Sequence, residues 1–153
     1  MGILKSLLRL RIKVHVCKHN PFWPCPSPSG VSSSSCVSLF PTQIACQRRH
    51  SGHLASVLSG TEGSFLASLV RNNLNTQSDV WIGLHDPTEG SEPDAGGWEW
   101  SSTAMFNYFA WERIPSTVSG LDHCGILSRT SGYLKWKNYN CNVNLPYICK
   151  FKG

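Results

Sequence analysis

A short apolar strand followed by a long polar loop constrains this chain more than any other feature. Val80 to Leu84 is an apolar run with the length and composition of a buried strand. The thirteen residues that follow, His85 to Gly97, are rich in Gly, Pro, Asp and Glu, and they lead into Trp98-Glu99-Trp100. Loops this long inside a compact domain usually carry function, and binding residues gather on loops that a rigid scaffold holds. We therefore expect a small domain that presents this loop.

The charge of the chain is distributed unevenly about residue 42. The formal net charge is +5, but five of the fourteen basic residues and none of the nine acidic residues precede residue 42. Residues 42–153 are therefore neutral overall, which disfavours a nucleic-acid partner. Acidic residues crowd the long loop, and basic residues follow Asp122. These residues are either ordinary solvated surface charges, or an acidic rim and a basic rim that attract an anionic surface or a second copy of the molecule.

The first 41 residues lack the features of a folded or targeting segment. Basic residues from Lys5 to Lys13 interrupt the apolar positions, so that no run reaches the length of a secretory signal or of a membrane span. An amphipathic helix at a membrane surface is the alternative for this stretch. Residues 17–41 are rich in Pro and Ser, a composition typical of disordered chain. We predict a disordered segment at 1–41 and a single domain at 42–153.

Hydrophobic periodicity in residues 42–153 predicts two helices and several short antiparallel strands. The first helix ends within residues 44–49. Ser59 to Glu62 fits a capping box, with Ser59 as N-cap and Glu62 reaching back, and this second helix ends at Asn72-Asn73. These elements predict an α+β domain. The apolar face of the second helix comprises Phe65, Leu66, Leu69 and Val70, and the strands are expected at residues 53–58, 80–84, 98–101, 133–137 and 146–151.

Seven cysteines in a chain of this size indicate disulfides and an oxidising compartment. Their spacing alone leaves the connectivity open. Cys17, Cys25 and Cys36 lie within the first 41 residues and have no assigned partners, and their spacing does not match a structural zinc site.

The central stretch resembles the C-type lectin-like domain. Trp81-Ile82-Gly83-Leu84 is the core signature of that domain, and Glu92-Pro93-Asp94 stands where the domain carries a three-residue sugar-recognition motif. The wider stretch from Trp81 to Trp100, followed by Asn107 to Glu112, resembles the regenerating (Reg) proteins in their pancreatitis-associated, antibacterial branch. The resemblance covers about residues 44–153. It implies the C-type lectin-like fold, with the first strand and part of the first helix lacking or altered.

The resemblance also implies two bridges, Cys46–Cys149 and Cys124–Cys141. Family members carry a cleavable signal and a cysteine-paired first hairpin, and neither is recognisable in residues 1–41. One hypothesis for this contrast is that the segment translates non-coding sequence and that family-like sequence resumes near Ile44. Secretion is therefore expected from the resemblance rather than from a signal in this chain.

Calcium is not expected to bind. In calcium-dependent members of the fold, an Asn-Asp pair after a late strand tryptophan supplies ligands to the ion. Here Trp136 is followed by Lys137-Asn138, so an ammonium replaces one ligand and an amide replaces a carboxylate. A calcium cage needs six to eight oxygen ligands, and an added cation opposes the ion. We expect calcium-independent recognition with no required cofactor, which the Reg resemblance also implies.

Glu92, Pro93 and Asp94 are the candidate carbohydrate-binding residues. The carboxylate of Glu92 can accept hydrogen bonds from sugar hydroxyls. In the antibacterial branch the corresponding Glu-Pro-Asn loop is associated with bacterial cell-wall glycan. Asp94 replaces that Asn and departs from the family pattern, because a carboxylate accepts hydrogen bonds but does not donate them. Trp98 and Trp100 beside the loop are either core residues or a sugar-stacking platform.

His85, Glu99 and His123 match family positions that hold zinc. Imidazole and carboxylate are both zinc ligands, although the spacing of the three residues is not diagnostic. They are either a zinc site, which would bridge molecules at the surface, or exposed polar residues.

The motifs favour a binding protein over an enzyme. The chain has no nucleophile elbow, zinc-protease motif, P-loop or dinucleotide fingerprint, and Glu92 with Glu99 is weak evidence for a glycosidase pair. The resemblance implies a secreted antibacterial protein of the acute-phase and inflammatory response that binds bacterial peptidoglycan or polysaccharide. Anionic membrane lipid and a second copy of the chain are further implied partners. The alternatives are a factor that binds a cell-surface receptor or glycoprotein, and a non-functional product that lacks part of the fold.

Overall fold

The computed structural model describes residues 10–15, 44–48, 50–74, 78–89, 91–92, 96–115 and 122–152, and the backbone alone for residues 10–15 and 152. Its sheet follows the order β1-β7-β3-β5-β6, with β2 also paired to β7 and β4 to β3. Two helical segments, α1 at residues 44–47 and α2 at Gly60–Asn73, complete the α+β fold that the sequence predicts. The strands are β1 (Leu10–His15), β2 (Gly52–Leu54), β3 (Val80–His85), β4 (Glu99–Trp100), β5 (Cys124–Leu127), β6 (Trp136–Tyr139) and β7 (Tyr147–Lys152).

Strand β1 lies within residues 1–41, where the sequence predicts a disordered segment and a first strand that is lacking or altered. Leu10–His15 pairs antiparallel with β7, from Leu10 opposite Lys152 to His15 opposite Tyr147. The basic residues that interrupt the apolar positions here alternate with them, which is the period of a strand. The pairing also covers an edge of β7, whose backbone groups would otherwise lack partners. The remainder of 1–41 lies outside the described residues.

Helix α2 begins with the predicted capping box in a modified form. Ser59 Oγ accepts a hydrogen bond from the Glu62 amide at 3.2 Å. Glu62 Oε2 accepts from the amide of Leu58 at 3.0 Å, one residue before the cap, rather than from Ser59. The helix ends at Asn73, as predicted, but its buried face is rotated, so that Phe65 is 41% exposed. The buried residues of the helix are Glu62, Gly63, Leu66, Ala67 and Val70.

Strand β6 begins three residues later than the predicted strand at 133–137. Gly132 and Tyr133 both adopt the left-handed backbone conformation, with φ of 66°. The Tyr133 amide donates to the carbonyl of Ser128 at 2.9 Å, which closes a turn after the 3-10 helix Arg129–Ser131. The chain straightens only at Trp136, which is fully buried, whereas Leu134 is 46% exposed. Strands β2 and β4 are also shorter than predicted.

Two disulfides join residues that the structure describes, and both have the pairing that the resemblance implies. Cys46–Cys149 joins α1 to β7 with a Cα–Cα distance of 5.4 Å. Cys124–Cys141 joins β5 to the residues after β6 with a Cα–Cα distance of 5.2 Å. The first bridge lies in a small core cluster with Trp81. A larger cluster contains the apolar face of α2 and buried tryptophans of the sheet.

A buried ion pair links α2 to β7. Lys150 Nζ pairs with Glu62 Oε1 and donates to the carbonyl and the hydroxyl oxygens of Ser56, each at 3.1 Å. Only 12% of the Lys150 side chain and 7% of the Glu62 side chain are exposed. Buried charges are tolerated where they are paired and hydrogen-bonded, as here. Within the described ranges, no helix is both long and apolar enough to cross a membrane.

Candidate carbohydrate-binding loop

The loop between β3 and β4 starts and ends on paired strands. Leu84 lies opposite Trp100, and His85 lies opposite Glu99. The next amide, that of Asp86, donates to the carbonyl of His123 at 2.8 Å. His123 precedes Cys124, so this bond fixes the start of the loop beside a disulfide. The base of the loop is therefore held both by the β3–β4 pairing and by the hydrogen bond to His123.

Successive turns lead from Asp86 toward Glu92. The buried carboxylate of Asp86 accepts from the amide of Thr88 at 2.8 Å and from its hydroxyl at 2.6 Å. The Glu89 amide donates to the carbonyl of Asp86 at 3.3 Å, and the Ser91 amide donates to the carbonyl of Thr88 at 3.2 Å. Aspartate favours such turns because its side chain bonds the backbone two residues on. These contacts were not anticipated, although the Asp-Pro-Thr sequence is itself a turn signal.

Glu92 projects from this loop into solvent. Its side chain is exposed, and it makes no hydrogen bond or ion pair with any other residue that the structure describes. A carboxylate in this condition keeps its acceptor capacity for a ligand. Pro93 and Asp94, the other two candidate carbohydrate-binding residues, lie outside the described residues.

Trp98 and Trp100 belong to the core, which excludes the sugar-stacking platform. They are 7% and 2% exposed. Trp98 packs edge-on against Trp111 with ring centroids 4.9 Å apart, and Trp100 packs against Trp136 at 5.3 Å. Edge-to-face packing at these separations is favourable for aromatic rings. The two tryptophans therefore anchor the C-terminal end of the loop to the core.

A lysine and a glutamate pair where the sequence predicts the loss of calcium ligands. The Trp136 amide donates to the Ala110 carbonyl at 2.8 Å, and the Glu112 amide donates to the Trp136 carbonyl at 2.9 Å. This pairing brings Glu112 beside Lys137, whose Nζ lies 3.4 Å from Glu112 Oε2 and 3.4 Å from Thr130 Oγ1. The side chains are 42% and 36% exposed. Sequence reasoning missed Glu112 because no local pattern joins it to Lys137.

The three candidate zinc ligands do not converge. His85 Nε2 lies 3.5 Å from Glu99 Oε1, with side chains that are 18% and 59% exposed. His123 uses its carbonyl to bind the Asp86 amide. In the part of the chain that the structure describes, no three His, Cys, Asp or Glu residues are close enough to hold a metal ion. Zinc binding therefore stays a prediction. Of its three candidate ligands, only His85 and Glu99 are shown close together among the described residues.

Three large apolar side chains are exposed on the segment after β4. Met105, Phe109 and Ile114 are 76%, 59% and 64% exposed. Phe109 packs edge-on against Phe106, with ring centroids 4.9 Å apart. Sequence reasoning missed this feature because partly buried aromatic residues lie between the exposed apolar ones in a segment that forms neither strand nor helix.

Comparison with known proteins supports this fold. The model of the family Lectin C-type domain matches residues 31–151. The chain belongs to this family. The match begins before residue 42, where the sequence predicts the start of the domain.

Relatives place the chain among the Reg proteins, as the sequence resemblance predicts. Lithostathine of Bos taurus is 64% identical over 134 residues, which cover 83% of this chain and 77% of the relative. Regenerating islet-derived protein 3-gamma of Homo sapiens is 57% identical over 140 residues, covering 87% and 80% respectively. The structure of human lithostathine superposes with a TM-score of 0.66 at 31% identity, over 84% of this chain and 100% of the other.

Proposed function

We propose that this Reg protein is a secreted, calcium-independent lectin-like protein that binds bacterial peptidoglycan or a related polysaccharide through the Glu92 loop. Its role is binding rather than catalysis, and its consequence is antibacterial activity. The observation that carries the proposal is the exposed carboxylate of Glu92 on a loop whose base is fixed to the sheet. Similarity to regenerating islet-derived proteins 3-gamma supports the choice of family branch.

A free carboxylate suits a polyhydroxylated ligand. Neighbouring sugar hydroxyls donate hydrogen bonds, and a carboxylate accepts them more strongly than a neutral oxygen does. Glu92 has both oxygens available, since no other described residue bonds them. A fixed loop base reduces the ordering that the ligand must impose, which favours affinity.

The pair Lys137–Glu112 supports recognition without calcium. The ammonium lies 3.4 Å from the carboxylate that could otherwise contribute to an oxygen cage. A calcium ion at this place would have to displace or approach a fixed positive charge, which is unfavourable. Sugar hydroxyls meet no such barrier, because they bond cations and anions alike.

Retention on insoluble peptidoglycan tests the proposal, with wild type and Glu92→Gln compared in the presence and absence of EDTA. We expect EDTA to have no effect and Glu92→Gln to weaken retention by about tenfold, because the amide loses the charge-assisted bond. The protein must first show a cooperative melt with both disulfides intact. Absence of retention by such folded protein would contradict the proposal.

The second candidate function is recognition of a cell-surface receptor or glycoprotein. Exposed Met105, Phe109 and Ile114 favour it, because methionine and aromatic side chains are enriched in protein interfaces. Phe109→Ser should abolish binding to cells in that case and leave peptidoglycan retention intact. The opposite pattern would assign the function to the Glu92 loop.

A further inference from the structure

The two arms of the Glu92 loop meet at a buried carboxylate. Asp86 is 4% exposed, and its Oδ1 accepts two hydrogen bonds from Thr88, from the amide at 2.8 Å and from the hydroxyl at 2.6 Å. A charge removed from water must be bonded in this way to be tolerated. The Thr88 hydroxyl therefore serves the carboxylate rather than solvent.

Gly97 brings the returning arm against the same two side chains. Its φ of +80° lies in the left-handed region, and a Cβ at this position would lie 2.5 Å from Thr88 Oγ1 and 2.8 Å from Asp86 Oδ1. No side chain larger than hydrogen fits between the arms without moving them. We call Asp86, Thr88 and Gly97 the loop clasp.

The loop clasp is attached to the sheet and not only to itself. The Asp86 amide donates to the His123 carbonyl at 2.8 Å, and the preceding residue, His85, lies opposite Glu99 in the β3–β4 pair. The turn from Thr88 continues through the bond between the Ser91 amide and the Thr88 carbonyl at 3.2 Å. Glu92 is the next residue along the chain.

We propose that Asp86 and Thr88 are positioning residues, which hold Glu92 in its ligand-binding position through the loop clasp without touching the ligand. This inference rests on the proposed function, because it presumes that Glu92 contacts the glycan. The Thr88 side chain does two things at once in this arrangement. Its hydroxyl satisfies the buried Asp86 carboxylate, and its backbone carbonyl closes the turn that ends at Ser91, directly before Glu92.

The test compares Thr88→Val with Thr88→Ser. Valine keeps the branched shape and removes the hydroxyl, whereas serine keeps the hydroxyl and removes a methyl group. We expect Thr88→Val to weaken binding of a soluble peptidoglycan fragment by about tenfold, and Thr88→Ser to stay within about twofold of wild type. Both variants should still melt cooperatively, with Thr88→Val at the lower temperature, because it removes one of the two hydrogen bonds that Thr88 donates to the buried Asp86 carboxylate.

Hydrogen exchange of the loop amides supplies a second readout. The Ser91 amide should exchange faster in Thr88→Val than in Thr88→Ser if the clasp orders the turn. Gly97→Ala approaches the same contact from the other arm and should likewise weaken binding, which covers the case that Thr88→Val fails to fold.

The outcomes separate the positioning role from the proposed function. A wild type that does not bind the fragment, although folded, overturns the proposed function and the positioning role with it. A wild type that binds while Thr88→Val binds equally well overturns the positioning role alone. Equal weakening by valine and serine also overturns it, since the hydroxyl would then not be the group that matters.

Discussion

Two regions of the sheet use the same kinds of contact in different surroundings: the region around β7, next to the edge strand β1, and the region around the opposite edge strand β6. We call them the β7 end and the β6 end. At the β7 end, the bridge Cys46–Cys149 spans a separation of 103 residues, and the pair Glu62–Lys150 is 7% and 12% exposed. At the β6 end, the bridge Cys124–Cys141 spans 17 residues, and the pair Glu112–Lys137 is 36% and 42% exposed. The β7 end thus constrains the whole domain, whereas the β6 end keeps its charged groups accessible to solvent.

The same residue types have different roles at the two ends, because their burial differs. A buried ion pair is costly to break, because the remaining charge stays in the interior. An exposed pair contributes little to stability, so that its residues are available for recognition. We expect substitutions at the β7 end to change unfolding and substitutions near the loop to change binding.

Removal of the bridges gives the largest expected contrast. Replacing Cys46 and Cys149 by alanine should lower the free energy of unfolding by about 4–5 kcal/mol, and replacing Cys124 and Cys141 should lower it by about 3 kcal/mol. The longer closed loop restricts the unfolded chain more strongly. Guanidinium unfolding measures both losses of free energy. If only the variant without Cys46–Cys149 fails to fold, that bridge is again the one that contributes more to stability. A larger loss of stability on removal of Cys124–Cys141 would contradict the proposed difference between the two ends.

Removal of one acid from each ion pair comes next. Glu62→Ala should cost about 3 kcal/mol, because it strands the Lys150 ammonium and removes the acceptor for the Leu58 amide. Glu112→Ala should cost less than about 1 kcal/mol, because its partner is open to solvent. Urea unfolding of the two variants side by side checks this. Equal losses would show that burial does not separate the two pairs.

Tyr133 should add a smaller, pH-dependent contribution at the β6 end. Its hydroxyl donates to the Ser78 carbonyl at 2.9 Å, so Tyr133→Phe should cost about 1 kcal/mol near neutral pH. Burial raises the pKa of Tyr133, Arg129 lowers it, and Asp79 raises it, with the net direction upward.

The sign of the pH effect follows from that direction. Above about pH 10 the unfolded chain loses the tyrosine proton first, so the folded state holds more protons and stability falls as the pH rises toward the folded pKa. Tyr133→Phe should show a shallower decline than wild type between about pH 9.5 and 11. Identical slopes in the two proteins would contradict the effect of burial.

Calcium should produce the smallest effect. A ligand stabilises the fold only in proportion to its binding, so millimolar calcium should leave the Tm of wild type unchanged within about 1 °C. The double variant Lys137→Asn with Asn138→Asp removes the cation and adds a carboxylate, and its Tm should rise with calcium. Differential scanning fluorimetry gives both curves. A calcium-dependent rise in the Tm of wild type would show that the ion binds despite Lys137, and would contradict this prediction.

Local signals in the sequence predicted the local parts of the fold. The capping box at Ser59 and the strand that contains Trp81 were both predictable, because each depends on neighbouring residues. The start of β6 was not, because nothing in the sequence marks Tyr133 as left-handed. Strand β1 was missed because its partner, β7, is at the other end of the chain.

The candidate site shows the same limit. Glu92 was predicted from a motif, and its exposure agrees with a binding role. The turn at Asp86 and Thr88 was readable in principle, but its contact with Gly97 depends on how the two arms of the loop meet. The pair Glu112–Lys137 likewise requires the alignment of two distant segments.

The most direct test of the central claim is a calorimetric titration of a soluble peptidoglycan fragment in EDTA. Glu92→Gln and Glu89→Gln make the same change of charge on the same loop, and both glutamates are exposed. We expect Glu92→Gln to raise the Kd by about tenfold and Glu89→Gln to stay within about twofold of wild type. Equal effects of the two variants, or no effect of either, would contradict a glycan site at Glu92.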